Sequence, residues 1–436
     1  MSVPIDLPTE ARLPRPLRRV RERNRLEYWI SGLPVALRYR RPTGTAAIDR
    51  LRHEYSRFYW QRGTLTASKR SWALLACAPV LVASIVYYSL RNGRIIRQRT
   101  GVGLWRQAVD QFYFYVRHGI LPRWYYIFSL HDPDGRERAP GFLNRFETKP
   151  ALFKRLNRPG ITPLGDKAAF AMHCGKHGLP HVPVLAIARN GEVQKLADFP
   201  RANLFVKPIV ERGGRGAQRW TWIGGDRYSG PGGLSLSSSG LLERLARQSP
   251  TIPRLVQPNM VNHPEIQDLS NGALTTLRFL TCLDEEDRPE IIAASFRMAV
   301  GKTGIVDNFH AGGIAAAVQL DTGILGKATD LGSSAILGWL SRHPDTSAAI
   351  EGRALPMWCQ AKALAVAAHR AFADRVVVGW DVAILADGPC LVEGNSGADV
   401  DLMQRPLKRG IGDGHFADLL LFHLCRLTGH CPRGGD

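Results

Sequence analysis

Short apolar runs alternating with helical repeats organise the chain from about Phe146 onward. Asp166 caps a helix that runs to Gly178, with Asp opening and Gly closing it. Eight segments read as strands: Val182–Ile187, Leu204–Ile209, Arg219–Ile223, Leu255–Val256, Thr275–Cys282, Ile291–Phe296, Val376–Leu385 and Cys390–Glu393. Residues 224–240 are rich in Gly and Ser and read as one long loop, Pro356–Phe372 as an Ala-rich helix, and His415–Leu427 as the last helix. Strands mixed with helices in this order predict an α+β fold. Upstream the texture is helical. Ile48–Trp60 is amphipathic, Ser71–Leu90 is 20 residues without a charge, and Trp105–Leu130 reads as an aromatic-rich helical pair. The boundaries this implies are 1–95, a basic N-terminal region; 96–145, a helical lead-in; and two α+β lobes at 146–250 and 251–436.

Ser71–Leu90 is long enough to cross a bilayer. Pro79 sits in its middle, and five Lys/Arg lie in each flank, 51–70 and 91–110, so charge sets no orientation. A span would export the Arg-rich N-terminus, whereas a buried helix, a shallow hairpin or a surface anchor would not. Charge adds to this picture because it is uneven. The net charge is +20, and residues 1–70 hold 16 Lys/Arg against 6 Asp/Glu, or +10. Such an arm suits an anionic membrane surface or an acidic partner. Nucleic acid is disfavoured, since no zinc finger, RNP-like strand or basic-leucine pattern accompanies it. The seven cysteines form no C-x-x-C pair, which argues against a disulfide framework or structural zinc. Met1 is followed by polar and basic residues with no signal-like segment. A reducing, cytoplasmic setting, with attachment to the inner face of the membrane as an option, is the expectation.

The most informative stretch is Val376-Val-Val-Gly-Trp-Asp-Val-Ala-Ile-Leu385 followed by Cys390-Leu-Val-Glu-Gly-Asn395. It reads as a hairpin turning at Asp387-Gly388. Glu393 and Asn395 are two apart and share a face. A two-residue turn would pair Asp381 with Gly394, on the wrong face; a three-residue loop or one bulge would pair it with Asn395. Asp381, Glu393 and Asn395 would then form a site for a hard cation, Mg²⁺ or Mn²⁺. A second motif is Asn203-Leu-Phe-Val-Lys-Pro208 with Glu211-Arg-Gly-Gly-Arg-Gly216. Lys207 ends a strand, and Gly213, Gly214 and Gly216 let backbone N–H groups approach phosphate. Gln257 lies where a strand meets a hinge, either pairing with an adenine edge or packing. Arg278 and Arg297 lie in apolar strands and need an anion: the carboxylates just named, or a γ-phosphate and an acyl phosphate. Asn308-Phe-His-Ala-Gly-Gly313 suits close approach of backbone to substrate, with His310 as acid/base or structural group. Asp399 and Asp401 either face substrate or are solvated.

Together, Lys167, the Val-Lys-Pro strand with its glycine loop, the hinge at Gln257, the arginine strands and the Asp381/Glu393/Asn395 triplet resemble the ATP-grasp superfamily. The resemblance is closest to the sugar-transfer-associated ATP-grasp family, through Asp166-Lys167, Thr276-Leu-Arg278, Asn308–Gly313 and Glu393-Gly-Asn395, and covers roughly 100–430. It implies two α+β lobes clasping ATP, Lys167 and Lys207 on the α- and β-phosphates, and Mg²⁺ on the triplet. Arg278, Arg297 and Asn308 would then serve the chemistry. Gln257 replaces the usual acidic residue at the hinge. The implied reaction joins a small-molecule carboxylate to an amine or sugar acceptor through an acyl phosphate, in cell-surface polysaccharide or glycan/peptide synthesis. A kinase acting on a hydroxyl and a non-catalytic nucleotide-binding partner of a polysaccharide assembly complex are the rival readings.

Overall fold

The computed structural model describes residues 32–41, 44, 46–61, 67–158, 160–210, 215–301, 309 and 312–429. The chain divides into two compact units. Among the described residues, one comprises those up to 126 and 130–139, the other 127–129 and those from 140 onward. The helices expected as a separate lead-in therefore belong, as far as residue 126, with the basic N-terminal region.

The first unit is helical. Helix α1, Ala47–Gln61, buries Ile48, Leu51, Tyr55 and Tyr59 along one stripe, the 3.6-residue repeat seen in its sequence. Helix α2, Ala67–Thr100, carries the uncharged run inside a single helix that tolerates Pro79. Helix α3, Leu104–His118, ends on Gly119 at φ 67°, whose N–H reaches the Phe114 and Tyr115 carbonyls, a left-handed cap that glycine adopts without strain. Among the described residues no helix is long and apolar enough to cross a membrane.

The second unit is built on two seven-stranded sheets. The strands are β1 Ala186–Arg189, β2 Glu192–Lys195, β3 Leu204–Pro208, β4 Gln218–Trp222, β5 Arg227–Ser229, β6 Ser235–Ser237 and β7 Arg254–Pro258, then β8 Thr276–Leu283, β9 Pro289–Met298, β10 Ile314–Val318, β11 Leu325–Thr329, β12 Trp339–Leu340, β13 Val377–Leu385 and β14 Gly388–Asn395. The first sheet runs β2-β1-β7-β3-β4-β5-β6, the second β12-β11-β10-β9-β8-β13-β14, and each pairing within them is antiparallel. This is the expected α+β architecture. The boundary at 250 falls short, because β7 belongs to the first sheet between β1 and β3. The supposed loop 224–240 holds β5 and β6, and the strand read at Val182–Ile187 begins only at Ala186.

The second sheet carries the larger core. Phe279, Phe296 and Trp380 lie on it with Trp358 and Phe372 from the Ala-rich segment, all essentially out of solvent. Each such side chain contributes about 1.5–3 kcal/mol. Helix α4, Lys167–Lys176, joins the lobes. Its Ala168 packs on Ile209 and Leu255 of the first sheet's side, while Phe170 stacks on Phe372 at 5.6 Å. The Val182 N–H also bonds the Leu391 carbonyl at 3.0 Å. The start of α4 is thereby brought over β14.

Candidate functional site

The β13–β14 hairpin turns one residue earlier than expected, at Ala386–Asp387, with Leu385 opposite Gly388. Continued evenly, that register would set Asp381 opposite Val392, on the wrong face. A bulge between Asp381 and Val382 shifts the pairing, so Asp381 faces Glu393 and Gly379 faces Asn395. One extra residue in one strand thus reverses a face. Gly394, between the two polar residues, points the other way: a Cβ there would come within 2.5 Å of Leu164 and 2.8 Å of Trp380.

The same face continues across the sheet. Asp381 is paired with Arg278 on β8, and Arg278 with Ser295 on β9. Glu393, Asp381, Arg278 and Ser295 form one row over four strands, backed by the aromatic core. Asp381 is buried and accepts from both Arg278 Nε and Nη2, the latter at 2.9 Å, and from Arg297 Nη1 at 3.3 Å. Burial alone would raise its pKa, but the two guanidinium groups overcome this and hold the carboxyl below its ordinary range. Arg278 and Arg297 thus have the carboxylate partner that one of their two readings expects. Ser295 was missed in the sequence. Its hydroxyl is buried without a hydrogen-bond partner among the described residues, and its only sequence signal is its place two residues before Arg297 in an apolar strand.

The other lobe supplies two lysines. Lys167 follows the cap of α4, where the Asp166 carboxylate accepts from the Ala168 and Ala169 amides. Its ammonium donates to the Ile209 carbonyl at 3.3 Å and stands 3.9 Å from Glu393 Oε2. Lys207 sits on β3. Burial pushes its pKa down from 10.5 to about 8; Glu393 and Asp381 oppose that shift, and Lys167 adds to it. Lys167, Lys207, Arg278 and Arg297 therefore surround Asp381 and Glu393, four positive charges against two negative, a surplus of +2. At this half-buried place that imbalance favours a polyanion.

The oxygens suit a divalent cation in part. Asn395 donates to Glu393 Oε1 at 3.0 Å, leaving Glu393 Oε2 and the Asn395 amide oxygen as donors on a half-buried edge. A carboxylate offers about four lone-pair sites. The arginines take three of those on Asp381, so it contributes at most one, on Oδ1. Among the described residues no group of three His, Cys, Asp or Glu side chains could hold a metal by itself.

Other expected residues fall elsewhere. Gln257 is buried and donates to the Val182 carbonyl at 3.2 Å, which ties β7 to the preceding segment. Gly216, at φ 71°, would place a Cβ 3.2 Å from Pro208. Gly213, Gly214, Asn308 and His310 lie outside the described residues. Asp401 is buried rather than solvated, and Asp399 pairs with Arg145 at 3.5 Å.

A family model described as sugar-transfer associated ATP-grasp matches residues 148–413. Solved structures similar to this chain include three that this chain overlaps loosely. The L-amino acid ligase from Bacillus licheniformis has a TM-score of 0.33 at 9% identity, over 59% of this chain and 50% of that one. The D-alanine–D-alanine ligase from Bacillus anthracis complexed with ATP has 0.34 at 11%, over 60% and 65%. The N5-carboxyaminoimidazole synthase from Aspergillus clavatus in complex with ADP and 5-aminoimidazole ribonucleotide has 0.31 at 13%, over 61% and 55%. This chain spans about half to two thirds of their lengths. No curated protein matches it.

Proposed function

The chain belongs to the sugar-transfer associated ATP-grasp family, and from that premise we propose that it is an ATP- and Mg²⁺-dependent ligase. It would activate a small-molecule carboxylate as an acyl phosphate and pass the acyl group to an amine or similar nucleophile. The observation that carries this is the surplus of positive charge at the meeting of the lobes, set directly beside oxygen donors. Lys167 and Lys207 hold the phosphate chain of the nucleotide from the first lobe. Glu393, Asn395 and Asp381 would hold Mg²⁺, which would supply charge neutralisation on the phosphates. Arg278 and Arg297 are held in place by Asp381, so their guanidinium charge would stabilise the transferring phosphoryl group without reorganisation. The acyl phosphate forms as the substrate carboxylate oxygen takes the γ-phosphoryl group and ADP leaves. The nucleophile then takes the acyl group and phosphate leaves. These residues position and stabilise charge; no side-chain nucleophile is needed. The family's association with sugar transfer supports a sugar-linked setting, and within it the reading places the acceptor in cell-surface polysaccharide or glycan/peptide synthesis.

The test is release of ADP and phosphate by purified protein with Mg²⁺, screened against pooled amino acids, sugar acids and nucleotide sugars. Release that needs both a carboxylate and an amine supports the ligase. A stable phosphoproduct without free phosphate would make it a kinase instead.

A further inference from the structure

Helices α2 and α3 run antiparallel. They bury apolar side chains such as Leu81 and Phe114, and polar contacts join them along their seam. Gln107 Nε2 donates to the Gly93 carbonyl at 3.1 Å and the Val102 carbonyl at 2.7 Å. Gln111 Nε2 donates to Ser89 Oγ at 2.9 Å, and Tyr126 donates to Gln107 Oε1 at 3.0 Å. Asn92, Gln107 and Gln111 are wholly buried. The outward stripes are apolar. Val82, Val86 and Leu90 are exposed one turn apart on α2, Leu90 at 72%. On α3, Trp105, Val109 and Phe112 repeat at helical spacing, Trp105 exposed at 82% and Phe112 at 55%. Apolar residues gathered into two such stripes mark an interaction surface rather than ordinary scatter.

Charge selects the partner. Residues 75–118 contain six arginines and one acidic residue, Asp110, a balance of +5. Asp110 is buried and held by Arg106 and Arg136, so the hairpin presents no acidic side chain to solvent. Arg91, Arg94 and Arg97 are exposed directly after the α2 stripe. A second copy would bring like charge against like. An anionic bilayer offers both an apolar interior and acidic headgroups. We propose that the α2–α3 hairpin docks flat on an anionic lipid surface. The two stripes enter the acyl boundary and the three arginines meet lipid phosphates. No span is involved, and the surface is this hairpin rather than the basic arm of residues 1–70. The proposal stands apart from the ligase reading.

The experiment is sedimentation of the full chain with vesicles of phosphatidylcholine alone, or with about one third phosphatidylglycerol. The protein is expected to pellet with the anionic vesicles, in a salt-sensitive way, and to stay in solution with the neutral ones. The double variant Trp105→Glu/Phe112→Glu should bind about tenfold more weakly or worse, with its circular dichroism unchanged because both sites are exposed. Arg91→Gln/Arg94→Gln/Arg97→Gln should lose the preference for anionic lipid. Undiminished pelleting of the double variant would overturn the proposal, since binding would then lie elsewhere. So would a wild-type chain that ignores both vesicles, or one that light scattering shows to be a dimer split by the double variant.

Discussion

Lys207→Met separates stability from function at the proposed nucleotide site. In the folded chain the ammonium of Lys207 sits where burial lowers its pKa from 10.5 to about 8. At about 1.36 kcal/mol per unit, the charged form is disfavoured by roughly 3 kcal/mol. That figure already contains the attraction to Glu393 and Asp381; because part of the side chain still reaches solvent, it is discounted to a gain of about 1–2 kcal/mol on replacement. The sign follows from linkage. The folded pKa is depressed below the unfolded one, so the cost is full below pH 8 and disappears as pH rises toward the unfolded value near ~10.4. Thermal unfolding at pH 7 without nucleotide should therefore show the methionine variant more stable by a few degrees, and the gap should close by about pH 10. Adding ATP and Mg²⁺ should raise the wild-type midpoint and leave the variant unmoved. A variant less stable than wild type, by an amount independent of pH, would refute the reasoning and make Lys207 a structural partner.

Three further outcomes follow from the same geometry. Asp381→Asn strips the counter-charge from Arg278 and Arg297 and should cost about 3–5 kcal/mol at neutral pH. Because the Asp381 pKa is lowered on folding, chemical denaturation should show that deficit shrinking below about pH 4, as the carboxyl protonates first in the unfolded wild-type chain and, at lower pH, in the folded one. Asn157→Ala removes two donated bonds, to the Val377 and Ser396 carbonyls at 2.7 Å, and two accepted ones, from the Val376 and Val377 amides at 2.9 and 3.1 Å. Urea titration should record a loss of about 3–4 kcal/mol with no specific effect on nucleotide affinity per folded molecule. Glu393→Gln should leave stability within about 1 kcal/mol, since that side chain is half-exposed, yet raise the Mg²⁺ concentration for half-maximal turnover by tenfold or more, on the order of the loss seen when a metal's ligand set is disturbed.

Much of the second unit was legible because its strands are apolar, β-branched and punctuated. β8, β9, β13 and β14 all lie where alternation and turn residues placed them. The polar residues inside those strands stood out for the same reason. What escaped depended on tertiary pairing. Ile314–Val318 is Ile followed by three alanines and a valine, weak in strand propensity, and becomes a strand by pairing with β9. Pro183 lacks a backbone donor, so the run from Val182 enters the sheet only at Ala186. The need for a bulge was legible from the face of Glu393 and Asn395. Its position was not, because it depends on where the turn closes. Nor could spacing alone set Arg278 beside Asp381; that took the register of β8 on β13.

The central claim is that this charge-rich meeting of lobes activates a carboxylate with ATP, and trapping the activated species tests it most directly. Purified protein would be incubated with ATP, Mg²⁺, pooled carboxylic acids and hydroxylamine, and hydroxamate measured beside ADP. The account predicts hydroxamate in step with ADP, dependent on a carboxylate and abolished by Lys207→Met and, at limiting Mg²⁺, by Glu393→Gln. ADP formed without hydroxamate, with the phosphoryl group recovered on a hydroxyl, would contradict it.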